Sequence, residues 1–317
     1  MSALEATWDG HGCDFADAVI AGLRGTPKSI PSRFFYDARG SELFERITEL
    51  EEYYPTGAEI ALLDAHAEEM AALAGPGVCL VEFGSGSSRK TDRLIEALPR
   101  LASYVPIDIS EAALAGAVSR LRERFPGLRV TPLHGDFSAA LTLPRSARTQ
   151  KKLGFFPGST IGNLTHAEAA AFLENCRVLL GANSGFLVGV DLKKSTDILL
   201  PAYNDRLGVT AAFNLNLLAR VNRELGGDFD LSAFAHEAIY NAAAGRIEMH
   251  LRSCVPQSAT VLGESFAFAE GETIHTENSY KYTVAEFEAL AASAGWASRQ
   301  VWTDPKGLFS AHYLTPA

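Results

Sequence analysis

Residues 78–94 read VCLVEFGSGSSRKTDRL. An apolar run, 78–83, meets a glycine-rich turn at Gly84-Ser85-Gly86, and Lys90-Thr91 then opens a stretch that can form a helix. A short run that is apolar at nearly every position predicts a strand buried on both faces, and the carboxyl end of such a strand is where doubly wound α/β folds receive ligands. Three cofactor chemistries compete for this turn. A dinucleotide fingerprint and a phosphate-binding P-loop both need glycine at the sixth position counted from Gly84, where a missing side chain lets the backbone close on phosphates or pack on the following helix. Arg89 stands there. Lys90-Thr91, with Asp191 at the end of a later strand, keeps a nucleoside triphosphate open, whereas Glu82-x-Gly84-x-Gly86 suits a ligand without phosphates.

Four further apolar runs follow: SYVPIDI (103–109), RVTPLHGDF (129–137), LGFFPG (153–158) and GFLVGVDL (185–192). Amphipathic stretches separate them. One, opened by Thr165 with Glu168 three residues on, carries Phe172, Leu173, Cys176 and Leu180 before Gly181. Strand and helix in alternation predict a parallel sheet covered on both sides.

Upstream, Phe15, Val19 and Leu23 mark a first helix, and Leu43, Phe44, Ile47 and Leu50 a second that follows Ser41. Thr56 with Glu59 is expected to cap a third, with Ile60, Leu63, Ala67 and Met70 as its stripe and Gly75-Pro76-Gly77 as its stop. From 192 to about 281 the rhythm breaks. A helix near 210–225 precedes alternating runs such as RIEMHLRS (246–253), in which Ile247, Met249 and Leu251 share a face. The sheet pattern then resumes: Thr283 and Glu286 cap a helix, Gly295 ends it, and WASRQVW and LFSAHYL flank Asp304-Pro305-Lys306-Gly307 as a hairpin. The expected architecture is α/β, a doubly wound sheet with an antiparallel last strand plus a second α+β domain. Residues 59–191 and 282–317 would form the first unit, and 1–58 with 192–281 the second.

The 317 residues are 47% hydrophobic and 21% charged, ordinary globular proportions, and 28 Lys and Arg against 38 Asp and Glu leave a net charge of −10. Proteins that grip phosphate backbones concentrate positive charge, so no nucleic-acid partner is expected. The start, MSALEATWDGHGCDF, lacks a basic region and an apolar core, and no apolar run approaches the roughly 18 residues of a membrane span. A cytoplasmic protein without a membrane partner is the expectation. Cys13, Cys79, Cys176 and Cys254 are scattered and read as reduced thiols, and none of the eight histidines stands at metal-ligand spacing, so no metal is expected and they read as surface or packed residues.

The Glu82-x-Gly84-x-Gly86 turn resembles the S-adenosylmethionine loop of class I methyltransferases. Asp108, closing the next run, is placed to accept from ribose hydroxyls, and Asp136-Phe137, closing the third, to bind an adenine amino group and cover its ring. Longer strings go beyond the fold. FYDARGSELFERITELEEYYPT (35–56), LVEFGSGSSRKT (80–91), YVPIDIS (104–110), FFPGSTIGN (155–163) and IHTENSYKY (274–282) resemble the signatures of the histidine Nα-methyltransferase family of ergothioneine biosynthesis, from about Arg33 to the C-terminus.

The resemblance implies S-adenosylmethionine-dependent trimethylation of the α-amine of L-histidine to hercynine, with histidine and its mono- and dimethyl forms as the small-molecule partners; a monomer is expected. By the motifs, Gly84, Gly86, Lys90, Asp108, Asp136 and Phe137 would line the cofactor site. Tyr53 and Asn163 would hold the substrate amine and act in catalysis, Tyr36 and Tyr203 would engage the carboxylate, and Glu277 and Ser279 would bind the imidazole with Met249 beside it. Glu51 and Gly57 depart from the family pattern LPEYYPTR, which bears on loop geometry. Two alternatives stay open: an Nα-methyltransferase for another amino acid, such as a tryptophan derivative, and a catalytically silent binding module.

Overall fold

The computed structural model describes residues 11–86, 90–137, 139 and 141–317. Arg89, the first ten residues and the side chain of Cys13 lie outside the described residues.

Every side chain of strand Cys79–Phe83 is buried, as a strand covered on both faces requires. It pairs in parallel with Ser103–Asp108 on one side and Lys152–Phe156 on the other. The seven-stranded sheet runs Trp296–Thr303, Phe309–Pro316, Gly185–Asp191, Lys152–Phe156, Cys79–Phe83, Ser103–Asp108, Leu133–His134. Phe309–Pro316 is antiparallel to both neighbours, and the Asp304 carboxylate fixes the hairpin turn by accepting from the amides of Lys306, Leu308 and Phe309. The chain moves outward from Cys79–Phe83 to Leu133–His134 and then returns to Lys152–Phe156, so strand order reverses beside the central strand. The loops at 84–86 and 157–159 diverge there and open a crevice.

Three expectations need correction. The run 129–137 yields only the two-residue strand Leu133–His134 and one bridge from Val130 to Tyr104, because Pro132 has no amide to give the ladder. The second helix is Ala38–Thr48, starting before Ser41, since the Asp37 side chain caps it by accepting from Gly40 N. Thr56 and Glu59 form no capping box: the third helix is Tyr54–Ala74, with Pro55 in its first turn, where proline's fixed φ suits helix initiation. The boxes at Thr165/Glu168 and Thr283/Glu286 do form.

A second assembly stands beside this sheet. Lys28–Ser29, Thr273–Tyr280, Arg246–Ser253 and Phe234–Asn241 make a four-stranded sheet, and Gln257–Val261 pairs with Glu264–Phe268. Its core draws Phe15, Val19, Leu43 and Ile47 from the N-terminal helices and Phe213, Leu217, Leu251 and Ile274 from the 199–274 region. Helix Tyr54–Ala74 joins the two assemblies. Tyr54 packs on the second core, whereas Leu62, Leu63 and Met70 pack with Leu80, Phe155 and Phe309 of the large sheet. Gly162 makes a further junction: a Cβ there would lie 2.7 Å from the Tyr280 carbonyl, so glycine alone allows the 3-10 turn Thr160–Asn163 to seat Asn163 near Glu277. No described helix is long and apolar enough to cross a membrane.

Candidate active site

The crevice widens into a cavity of about 1270 Å³ that reaches from the loop ends of the large sheet to strand Thr273–Tyr280. A pocket for one small ligand holds roughly 300–1,000 Å³, so there is room for two reactants.

At the sheet end, Gly84 (φ 71°) and Gly86 (φ 47°) adopt the left-handed backbone that side chains disfavour. The amides of Gly84 and Ser85 donate to the Ile107 carbonyl, and Gly86 N donates to Asp108 Oδ2 at 2.9 Å. Asp108 Oδ1 accepts from Ser110 N at 2.9 Å, so the carboxylate spans two turns and keeps a further lone pair on each oxygen. Burial raises its pKa, and the backbone donors oppose the rise. Asp136 and Phe137 line the same end, with the Phe137 ring set edge-on against Phe156 and Phe172 at 5.3 and 5.6 Å. Lys90 Nζ meets Glu59 Oε2 at 2.6 Å, and the same carboxylate accepts from Gly158 N. One glutamate from the joining helix therefore ties both loops of the crevice.

Glu82 faces inward. Thr91 Oγ1 donates to it at 2.5 Å and the Tyr104 phenol donates as well, while burial pushes its pKa up to about 8. With the Thr91 hydroxyl engaged there and Asp191 held between two lysines, neither is free to take a phosphate-bound metal, and the triphosphate reading falls.

At the other end, Tyr36, Tyr53, Asn163 and Glu277 line the cavity together. Tyr36 and Tyr53 pack edge-on against Phe44, and burial raises both phenols far above their ordinary range, so they stay protonated. Burial lifts Glu277 to about 7, with Lys281 opposing the rise. Asn163 Nδ2 lies 3.5 Å from Glu277 Oε2. An ionised carboxylate only accepts, so it faces the amide's NH₂ and leaves Asn163 Oδ1 as an acceptor.

Tyr203, Ser279 and Met249 sit behind the lining, all buried. The Tyr203 hydroxyl donates to Ser279 Oγ at 2.7 Å, and Met249 lies opposite Glu277 across the strand ladder, in the core. Several residues of the site escaped sequence reasoning. Glu59 was hidden by its resemblance to a cap. Lys281 was missed, and Asp191 was read only as a support for a triphosphate, although Glu277, Ser279 and Lys281 alternate, a period that places them on one face. The histidine reading also needs amending: Glu248, His250 and His275 bring ligand atoms within 4.8 Å of one another, with His250 and His275 facing across two strands 25 residues apart in sequence. Glu248 there is already paired with Arg246 and Asn241.

A profile of the family described as histidine-specific methyltransferase, S-adenosylmethionine-dependent, matches residues 15–316. The histidine N-alpha-methyltransferase of Mycolicibacterium smegmatis is 44% identical over 297 residues, 92% of this chain and 91% of that protein, and that of Mycobacterium tuberculosis is 42% identical over the same shares. Ergothioneine biosynthesis protein 1 of Neurospora crassa is 34% identical over 87% of this chain, which spans 32% of that longer protein. Among solved structures, the mitomycin 7-O-methyltransferase superposes with a TM-score of 0.51 at 13% identity, covering 98% of this chain and 69% of its own. Magnesium protoporphyrin IX methyltransferase from Synechocystis, with bound S-adenosylhomocysteine, gives 0.50 at 12% identity, covering 90% and 98%. At such identities the likeness shows the shared fold.

Proposed function

The chain belongs to the histidine-specific, S-adenosylmethionine-dependent methyltransferases, and from that premise we propose that it methylates the α-amine of L-histidine three times, through the mono- and dimethyl forms, to hercynine in ergothioneine biosynthesis. The observation that carries the reading is one cavity lined at one end by the Gly84–Gly86 turn with Asp108 and at the other by Tyr53, Asn163 and Glu277.

The turn fits the cofactor: two glycines leave the backbone open to a ligand, and Asp108 keeps lone pairs for paired hydroxyls. When bound, S-adenosylmethionine supplies a methyl group on a positively charged sulfur. The chain's residues have to hold the amine unprotonated and aligned. In each round the amine lone pair forms the N–C bond while the C–S bond breaks and its electrons stay on sulfur. One proton leaves nitrogen before each of the three transfers. Asn163 Oδ1, free of Glu277, accepts from the amine N–H and turns the lone pair outward. Tyr53, protonated throughout, passes the proton to water rather than storing it as a phenolate. The trimethylated product has no N–H left, so Asn163 loses its grip and release follows. Tyr36 is assigned to the carboxylate and Glu277 and Ser279 to the imidazole, with Met249 packing behind; Tyr203, expected at the carboxylate, gives its hydrogen to Ser279 Oγ and is assigned to holding that hydroxyl instead. Residues 1–58 and 192–281 are assigned to substrate binding because Tyr36, Tyr53, Tyr203, Met249 and Glu277 come from them.

Initial rates across an amino-acid panel, read by S-adenosylhomocysteine release, test the proposal. Histidine should lead tryptophan and phenylalanine, and Glu277→Ala should lower kcat/KM for histidine roughly 100-fold while narrowing that lead, since a buried charge-assisted bond is lost. Wild-type rates and ranking in Glu277→Ala remove the imidazole assignment. Faster turnover of a tryptophan derivative, or no turnover at all, moves the protein to one of the two alternatives.

A further inference from the structure

Lys281 is buried to its tip, and its three N–H donors each have a partner: Asp191 Oδ2 at 2.7 Å, Tyr203 Oη at 2.9 Å and Ser279 Oγ at 2.8 Å. The Tyr203 and Ser279 hydroxyls are also bonded to each other at 2.7 Å. An ammonium donates and never accepts, so it occupies one lone pair on each hydroxyl oxygen. The bond between the hydroxyls uses one of their two hydrogens. The phenol, the more acidic of the pair, is the donor. Ser279 Oγ then accepts twice, and its own hydrogen is left over. That hydrogen cannot return to Lys281 or Tyr203, and no other acceptor for it lies among the described residues. Ser279 lies just behind the cavity lining, the next residue after Glu277 on that face of the strand, so a ring that reaches past Glu277 would meet this hydrogen as a donor. Ionised Glu277 can only accept.

A ring set between an acceptor and a fixed donor has to carry one N–H and one bare nitrogen. We propose that Lys281 is a positioning residue which, by orienting the Ser279 hydroxyl, makes the site select the neutral imidazole of its substrate in a single tautomer. This rests on the assignment of Glu277 and Ser279 to the imidazole given above. An imidazolium has hydrogen on both nitrogens and would turn one against the Ser279 hydrogen.

Lys281 is itself fixed by charge. Asp191 also receives Lys194 Nζ at 2.5 Å and the Tyr54 hydroxyl at 2.7 Å. The groups around Glu277 are Tyr36 and Tyr53 from the N-terminal segment, Tyr203 from helix Thr196–Tyr203, Asn163 from the 3-10 turn, and His275 and Lys281 from its own stretch. Burial holds His275 low and keeps the tyrosines protonated, so Lys281 is the cation that favours ionised Glu277.

The test begins with wild-type enzyme, S-adenosylhomocysteine and ring-¹⁵N-labelled L-histidine, observed by NMR from pH 6 to 8.5. The expected result above pH 7, where Glu277 is ionised, is one protonated and one bare ring nitrogen held in a single tautomer, whereas a free neutral imidazole exchanges between two. Two protonated nitrogens, or two tautomers in exchange, in that range overturn the proposal. Failure of histidine to bind overturns the substrate reading on which it stands. Lys281→Met should raise the histidine KM roughly tenfold, for one lost oriented hydrogen bond, with kcat within about twofold. S-adenosylhomocysteine affinity should stay unchanged, and the acid limb of kcat/KM should move to higher pH. In a Glu277→Gln background that shift should vanish. An unmoved KM and acid limb with intact cofactor affinity remove Lys281 from this role and leave the substrate reading standing; should Lys281→Met not fold, the labelled-histidine spectrum still decides.

Discussion

The two ends of the cavity are held by different means. At the cofactor end the turn itself is held through its backbone, with Glu59 tying Lys90 to Gly158 behind it: the amides of Gly84 and Ser85 reach the Ile107 carbonyl, and Asp108 gathers the amides of Gly86 and Ser110. At the substrate end the geometry depends on buried charge, with Asp191 set between Lys194 and Lys281, and Lys281 in turn orienting Ser279 and Tyr203. Backbone bonds survive most side-chain substitutions. A charge network fails when one member leaves, because the others stay buried without a partner.

Asp191→Asn should show that difference most strongly. It keeps the shape but strands two buried cations, and a loss of about 3–5 kcal/mol of stability is expected from denaturant unfolding. In the folded protein the histidine KM should rise while S-adenosylhomocysteine affinity holds. Equal losses at both ends would break the comparison.

Glu82→Gln sharpens it from the other side, by probing the buried carboxyl beneath the cofactor turn. Glu82 titrates at about 8 in the fold, against an unfolded carboxyl near 4.3. Between those values the unfolded chain gives up a proton that the native protein keeps, so wild-type stability falls as pH rises through that window and levels off above it. Glutamine has no such proton. The stability of Glu82→Gln relative to wild type should grow from near zero at pH 5 to on the order of 3 kcal/mol at pH 8.5. Thermal unfolding at both pH values checks this, and parallel pH profiles would show that Glu82 stays ionised.

The smallest effect is expected where the backbone carries the structure. Asp108→Ala removes two bonds from the turn but leaves those to Ile107, so the fold should persist and S-adenosylhomocysteine should bind roughly tenfold more weakly. Calorimetry decides it. An unchanged Kd would take Asp108 out of the site.

The same contrast explains what could be read in the sequence. The large sheet was legible because its central strands are short apolar runs and each cavity-facing loop follows its own run, as at 84–86, 108 and 136–137. The α+β character of the second assembly was legible in the alternation of Ile247, Met249 and Leu251. Its polar network was not, since Asp191 meets Lys281 across 90 residues and Glu59 meets Gly158 across 99. Those contacts depend on register and crossing, which no local period encodes. Thr56 and Glu59 show the converse failure: the spacing of a cap was present, yet Pro55 started the helix earlier and the carboxylate went to Lys90.

The pairing of the N-terminal helices with the 199–274 region has a consequence during synthesis. Phe15 and Val19 leave the ribosome well before Phe213 and Leu217, which complete the same core. At about 5–20 residues per second, a gap of roughly 200 residues lasts on the order of 10–40 s. Strands Cys79–Phe83 through Gly185–Asp191 can begin to pair in that interval, but the first two helices have only neighbours such as Phe34 and Tyr53 against their apolar stripes until the 199–274 region arrives. Strand Phe309–Pro316, which must insert between Trp296–Thr303 and Gly185–Asp191, arrives last. Birth on the ribosome, rather than life in the folded state, is when the N-terminal segment of this chain is most exposed to aggregation.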